Sequence, residues 1–144
     1  MASRCIYILD NDPTAALVTQ RGLQTKLDEH TRVVVAENTN TAWLACARGA
    51  VDLIIIDPGM YNSAAYSLVR VIRTYRPSMP LIVLTAYDSP GLRSQMRELG
   101  IQYYLAKPID LRELLRVVFE IMSRSSSDAP APDMHTLQLK FSSL

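Results

Sequence analysis

Four short apolar runs, spread along most of the chain, each stop at a polar residue. Cys5-Ile6-Tyr7-Ile8-Leu9 runs into Asp10-Asn11-Asp12, and Leu53-Ile54-Ile55-Ile56 runs into Asp57. Leu81-Ile82-Val83-Leu84 runs into Thr85, and Tyr103-Tyr104-Leu105-Ala106 into Lys107. Short unbroken runs of this kind, alternating with helical patterns, read as parallel strands of an open α/β sheet. In such sheets ligands sit outside the carboxyl ends of the strands. Carboxylates, a hydroxyl and an ammonium are therefore expected to converge on one rim.

The segments between the runs support this architecture. A first strand over residues 4–10 is followed by a helix over 14–27, introduced by Asp12-Pro13, since Asp at N-cap with Pro at N1 is a strong helix start. Arg32 to Ala36 reads as a second strand, and Asn38 to Arg48 as a helix stopped by Gly49. The third strand is expected at 52–57. Ala65, Leu68, Val69 and Ile72 then form the stripe of a helix lying on a sheet, which stops near Pro77. Pro80 opens a fourth strand, and Ser89-Pro90 caps a helix carrying Leu92, Met96 and Leu99 that Gly100 closes. A fifth strand at 101–106 precedes a helix starting at Asp110, with a capping box completed by Glu113. Five βα units make a doubly wound, flavodoxin-like parallel α/β sheet of five strands and five helices, with strand order 2-1-3-4-5.

A chain of 144 residues is one domain of ordinary size, and its 49% hydrophobic content is globular. A net charge of +1 gives no reason to expect nucleic-acid or membrane binding through bulk electrostatics. No apolar stretch approaches a bilayer span and no signal-peptide pattern opens the chain, so a cytoplasmic location is expected. Cys5 and Cys46 fall in a strand and a helix, where buried free thiols are expected. The folded unit is placed at 1–123. Residues 124–144 read as a Ser/Pro-rich linker and tail, in which Leu137, Leu139 and Phe141 alternate with polar residues in a strand-like pattern.

Four motifs carry a family resemblance: Ile-Leu-Asp10-Asn11-Asp12-Pro13, Asp52-Leu-Ile-Ile-Ile-Asp57, Val83-Leu84-Thr85-Ala86 and Tyr104-Leu105-Ala106-Lys107-Pro108. Each is weak alone, and the four in this order are specific. The chain resembles a response-regulator receiver domain of two-component signalling over residues 4–122. The resemblance implies that Asp57 accepts a phosphoryl group from the phosphohistidine of a sensor histidine kinase or phosphotransfer protein. Lys107 would supply a counter-charge, Thr85 a hydroxyl that reorients toward the phosphate, and Ala86 room for it. A carboxylate attacks phosphorus only when charge on the transferring group is neutralised, which agrees with these roles. Tyr104 would turn inward as the threonine moves. The output would be read on the face of helix four, strand five and helix five, by a downstream protein or in a homodimer. Lys107-Pro108 resembles the family's cis peptide. The implied Mg²⁺ site uses Asp10, Asn11, Asp57 and the backbone of Gly59. The domain is expected to act as a signalling phospho-acceptor and not as an enzyme, beyond its own phosphoryl transfer and dephosphorylation.

Two departures stand out. Asn11 takes the place of an acid that would bind the metal directly, which lowers the expected Mg²⁺ affinity; Asp12 is expected to cap the first helix. After Asp57 the run is Pro58-Gly59-Met60-Tyr61-Asn62, where the family has a Met-Pro pair and a later Gly, so the loop shape is expected to differ. They keep a second expectation open, that of a pseudo-receiver that binds partners without a phosphate cycle. A third is a haloacid-dehalogenase-type phosphatase, with Asp10 as nucleophile in Asp10-Asn11-Asp12-Pro13-Thr14. It lacks the later acidic pair that such enzymes use and leaves Asp57 without a role.

Overall fold

The computed structural model describes residues 3–125. The expected tail lies outside the described residues, apart from Arg124 and Ser125, which are helical. The strands are β1 (Arg4–Leu9), β2 (Thr31–Val35), β3 (Leu53–Ile56), β4 (Leu81–Thr85) and β5 (Tyr103–Ala106). The helices are α1 (Pro13–Lys26), α2 (Thr39–Ala47), α3 (Ala64–Tyr75), α4 (Pro90–Glu98) and α5 (Leu111–Ser125). All four strand pairings are parallel, in the order β2-β1-β3-β4-β5. Among the described residues no helix is long and apolar enough to cross a membrane.

Local chemistry sets the helix ends. Asp12 accepts the N–H groups of Thr14 and Ala15 at 3.0 and 3.2 Å, so it caps α1 as the Asp-Pro pair predicts. Asn38, Ser63 and Ser89 cap α2, α3 and α4 in the same way. At α5 the Asp110 carboxylate takes the Arg112 N–H at 2.8 Å and its guanidinium at 3.1 Å. The cap thus works through Arg112 rather than through the expected partner Glu113. Gly49 and Gly100 end α2 and α4 with φ of 76° and 78°. The Ile101 N–H then returns to the Met96 carbonyl, which delays β5 to Tyr103, two residues after its expected start.

The core is two apolar layers, one on each face of the sheet. In β3, Leu53 and Ile55 point to one layer and Ile54 and Ile56 to the other, as the two-residue period of a strand requires. Ala42, Ala45 and Cys46 of α2, Tyr66, Val69 and Ile72 of α3, and Leu92 and Met96 of α4 fill one layer. Ala16 and Leu23 of α1 join Leu114, Val118 and Ile121 of α5 in the other. Truncating any of the three fully buried β3 isoleucines to alanine is expected to cost about 2–5 kcal/mol. Both cysteines are free and buried.

The outer edge of β2 is closed by side chains. Gln24 of α1 donates to the Thr31 carbonyl at 2.8 Å and accepts the Val33 N–H at 2.8 Å, so its amide stands in for a peptide unit of a neighbouring strand. Gln20, one helical turn earlier, donates to the Val33 carbonyl at 3.1 Å.

Candidate functional site: a carboxylate pocket at the strand ends

Parallel register builds the site. The Asp57 N–H bonds to the Leu9 carbonyl, and the Lys107 N–H to the Thr85 carbonyl, so the ends of β1, β3, β4 and β5 lie side by side. Asp10, Asp57, Thr85 and Lys107 are the residues at those ends. The structure brings all four together, as the apolar runs imply.

Asp57 is 5% exposed and Thr85 is fully buried. A buried carboxylate persists only when its oxygens are bonded, and here four donors reach it. The Thr85 hydroxyl and the Gly59 N–H donate to Oδ1, each at 3.0 Å. The Ala86 N–H donates to Oδ2 at 3.1 Å, and the Lys107 ammonium lies 3.3 Å from the same oxygen. Lys107 also forms a close ion pair with Asp10 Oδ2, and so bridges two carboxylates. Burial works to lower the Lys107 pKa, but bonding to Asp10 and then Asp57 outweighs it and holds the ammonium above the ordinary lysine value. The Lys107–Pro108 peptide is cis, as expected.

The metal corner is thinner. Asp10 accepts the Asp12 N–H at 2.9 Å, Asn11 is exposed, and the Asp12 carboxylate is occupied at the start of α1. The capping bonds both fall on Asp12 Oδ1, which turns that oxygen to the helix start instead of to the metal corner. The loop after β3 has its own bracing. Gly59 and Asn62 adopt φ of 64° and 63°, a region that Gly and Asn tolerate. The Ser63 hydroxyl donates to the Pro58 carbonyl at 2.6 Å and accepts the Tyr66 N–H at 3.1 Å. Tyr61 meets the Tyr66 ring edge-on at 5.1 Å, while Met60 and Tyr61 themselves are exposed.

Tyr104 lies inside, 1% exposed, among Met96, Leu92 and Val83. Its hydroxyl donates to Asp88 Oδ1 at 2.7 Å, and Arg93 grips the same carboxylate through two bonds of 2.9 and 2.8 Å. Burial first, and then the Asp88 carboxylate, push the Tyr104 phenol well above the usual tyrosine range. Neither Asp88 nor Arg93 was legible as a site residue. The one available signal was an acid and a base flanking the Ser89-Pro90 helix start.

This fold and this rim define a doubly wound parallel α/β domain with a carboxylate pocket at its strand ends, and comparison with known proteins gives the family. The chain belongs to the response regulator receiver domain family, whose model matches residues 6–119. It is 29% identical over 132 residues to the DNA-binding transcriptional regulator NtrC of Bradyrhizobium sp., covering 92% of this chain and 27% of that protein. It is also 29% identical to the sensor protein GacS of Pseudomonas syringae, covering 89% of this chain and 14% of that one. The chain thus spans about a quarter or less of the length of these relatives. The crystal structure of a CheY-like receiver domain protein from Methanospirillum hungatei has the same fold, with a TM-score of 0.76 and 21% identity over 89% of this chain and all of that one. Receiver domains of this family serve two-component signalling and phosphorelay, and phosphorylation on an aspartate is their general function. They are signalling domains that interact with sensor histidine kinases or phosphotransfer proteins, and they generally bind Mg²⁺ at an acidic pocket.

Proposed function

We propose that this chain accepts a phosphoryl group on Asp57 from a phosphohistidine, and that Thr85 and Tyr104 convert the event into a change of the α4–β5–α5 face. The observation that carries the reading is the buried Asp57 carboxylate held by four donors from the end of β4 and the loops after β3, β4 and β5. The attacking oxygen of Asp57 forms the new O–P bond as the P–N bond to the donor imidazole breaks. Lys107, the Ala86 N–H and the Thr85 hydroxyl already point at the carboxylate, so the same donors can turn to the incoming phosphoryl oxygens. The exposed methyl of Ala86 leaves room beside them.

The donor set fits Mg²⁺: two carboxylates, an amide and a backbone carbonyl are hard oxygen ligands, with no thiol or imidazole beside them among the described residues. Asp10, Asp57, the Asn11 amide oxygen and the Gly59 carbonyl would hold it, and when bound it neutralises charge on the transferring group. With Asn11 a neutral ligand, the affinity is lower than three direct carboxylate ligands would give.

The domain works in the cytoplasm, as residues 1–123 followed by a tail from 124, with α5 running on to Ser125. Its partners are a histidine kinase or phosphotransfer protein on the input side, and on the output side a downstream protein or a second copy at the α4–β5–α5 face. Incubation with acetyl phosphate and Mg²⁺ is expected to label the parent chain and not Asp57→Asn, read by intact mass. One observation favours a second reading. The neutral, exposed Asn11 leaves the metal corner one carboxylate ligand short, as a pseudo-receiver would have it. No labelling of the parent over a wide Mg²⁺ range, with labelling gained in Asn11→Asp, would establish that reading instead.

A further inference from the structure

The loop between β4 and α4 ties the phosphate pocket to the switch tyrosine by an unbroken series of bonds. The Thr85 hydroxyl donates to Asp57 and accepts the Tyr87 N–H at 2.9 Å. The next residue, Asp88, receives the Tyr104 hydroxyl, and Arg93, in the first turn of α4, closes the series with a bidentate grip on Asp88. The Arg93 guanidinium also lies over the Tyr104 ring, 5.7 Å from its centre.

Each contact favours one position of Tyr104. A buried phenol needs a partner for its hydroxyl, and the Asp88 carboxylate supplies a charge-assisted one. The Arg93 fork fixes that carboxylate in two bonds instead of one, so it is already oriented when the phenol arrives. The guanidinium then covers the ring face as well. With Tyr104 turned outward, the hydroxyl bond and the ring contact would both be lost.

We propose that Asp88 and Arg93 are positioning residues: a latch that raises the inward share of Tyr104 before any phosphate arrives, leaving the phosphoryl group to complete the shift, and so biases the pocket toward its phosphate-accepting arrangement. The inference rests on the Thr85–Tyr104 switch proposed above. A group that favours one of two states strengthens whatever ligand that state prefers, in proportion to the rise in that state's population. The latch therefore acts on Asp57 without touching it.

The test uses the full chain labelled with 3-fluorotyrosine, with the Tyr104 resonance assigned through Tyr104→Phe. The difference between its shifts in H2O and D2O reads the exposure of Tyr104 without phosphate. The initial rate of Asp57 labelling by acetyl phosphate is measured alongside. In the parent without phosphate, Tyr104 is expected to be largely shielded, and to become more so once Asp57 is labelled. Asp88→Ala and Arg93→Ala are each expected to expose it and to slow labelling by roughly fivefold or more. Arg93→Lys, which keeps the charge but not the fork, should fall between. The resonance of Tyr66, 3% exposed and on α3, should stay shielded in every variant, which separates release of the latch from unfolding. A Tyr104 that remains shielded in both alanine variants overturns the latch. So does a Tyr104 that becomes exposed while labelling keeps its rate. If the parent is never labelled, the phospho-acceptor reading falls, and the fluorine signal by itself still decides whether Asp88 and Arg93 hold Tyr104.

Discussion

Lys107 carries two opposed duties, because the ammonium that would meet a phosphoryl oxygen also separates Asp10 from Asp57. Without it, two largely buried carboxylates face each other uncompensated. Lys107→Met keeps the volume and removes the charge, and it should lower stability by about 2 kcal/mol in urea denaturation. An unchanged midpoint would mean that solvent or backbone donors replace the lysine. Cys46 makes a different prediction. Burial pushes its thiol up to about 11 from an ordinary 9.0, so the folded state holds this proton more tightly than the unfolded chain does. The resulting contribution is complete below about pH 9 and is lost as the pH rises toward 11. Tyr103 and Tyr104, both raised by burial, act in the same direction at higher pH. Unfolding free energy measured from pH 8 to 11 should fall less steeply in Cys46→Ala than in the parent, and parallel curves would argue against a buried protonated thiol. At this scale the sequence disclosed Asp10, Asp57, Thr85 and Lys107, because each simply ends an apolar run. It disclosed the Asp12 cap through Asp-Pro. It could not disclose that Asp88 meets Tyr104, since that contact depends on the path of the β4–α4 loop and not on any period.

Among the elements, β2 shows how a two-sided problem was solved with one helix. As an edge strand it offers outward the Thr31 C=O and the Val33 N–H and C=O, and Gln20 and Gln24 of α1 bind them. An unprotected edge is a template for another chain. Gln20→Ala with Gln24→Ala should therefore promote self-association, seen as a concentration-dependent rise in sedimentation coefficient. It should also cost about 1 kcal/mol for each bond lost. A double variant that stays at the parent's mass at high concentration would show that α1 shields the edge by bulk alone. The spacing of the two glutamines, four residues apart on one helical face, was visible in the sequence. Their target was not, because it depends on how α1 lies across β2. Element types and order followed from the apolar runs and helix caps, whereas the start of β5 and the partner of the Asp110 cap depended on local closures. Ile101 bonds back to Met96, and the Asp110 carboxylate takes Arg112 while Glu113 bonds through its N–H to the Asp110 carbonyl.

Over the whole molecule, parallel register makes the two rims of the sheet unlike. Every strand finishes at the carboxylate rim, so a side chain placed there meets its counterparts from three other strands, and residues far apart in sequence act as one site. The strand order 2-1-3-4-5 puts β3 at the centre with β1 beside it, which is why Asp10 and Asp57 are neighbours while Lys107 reaches them from the edge. The opposite rim has a bond of its own: Arg4, at the start of β1, donates to the Met122 carbonyl near the end of α5 at 2.7 Å. The first strand and the last helix are thereby fastened together on the side away from Asp57, separated from it by the length of a strand, about 20 Å. A fluorescent protein, an affinity handle or a surface tether joined through either of these elements would depart from the back of the sheet. A donor protein could then approach the pocket unobstructed, and an assay built on such an attachment would report on the chemistry of Asp57 instead of on crowding around it.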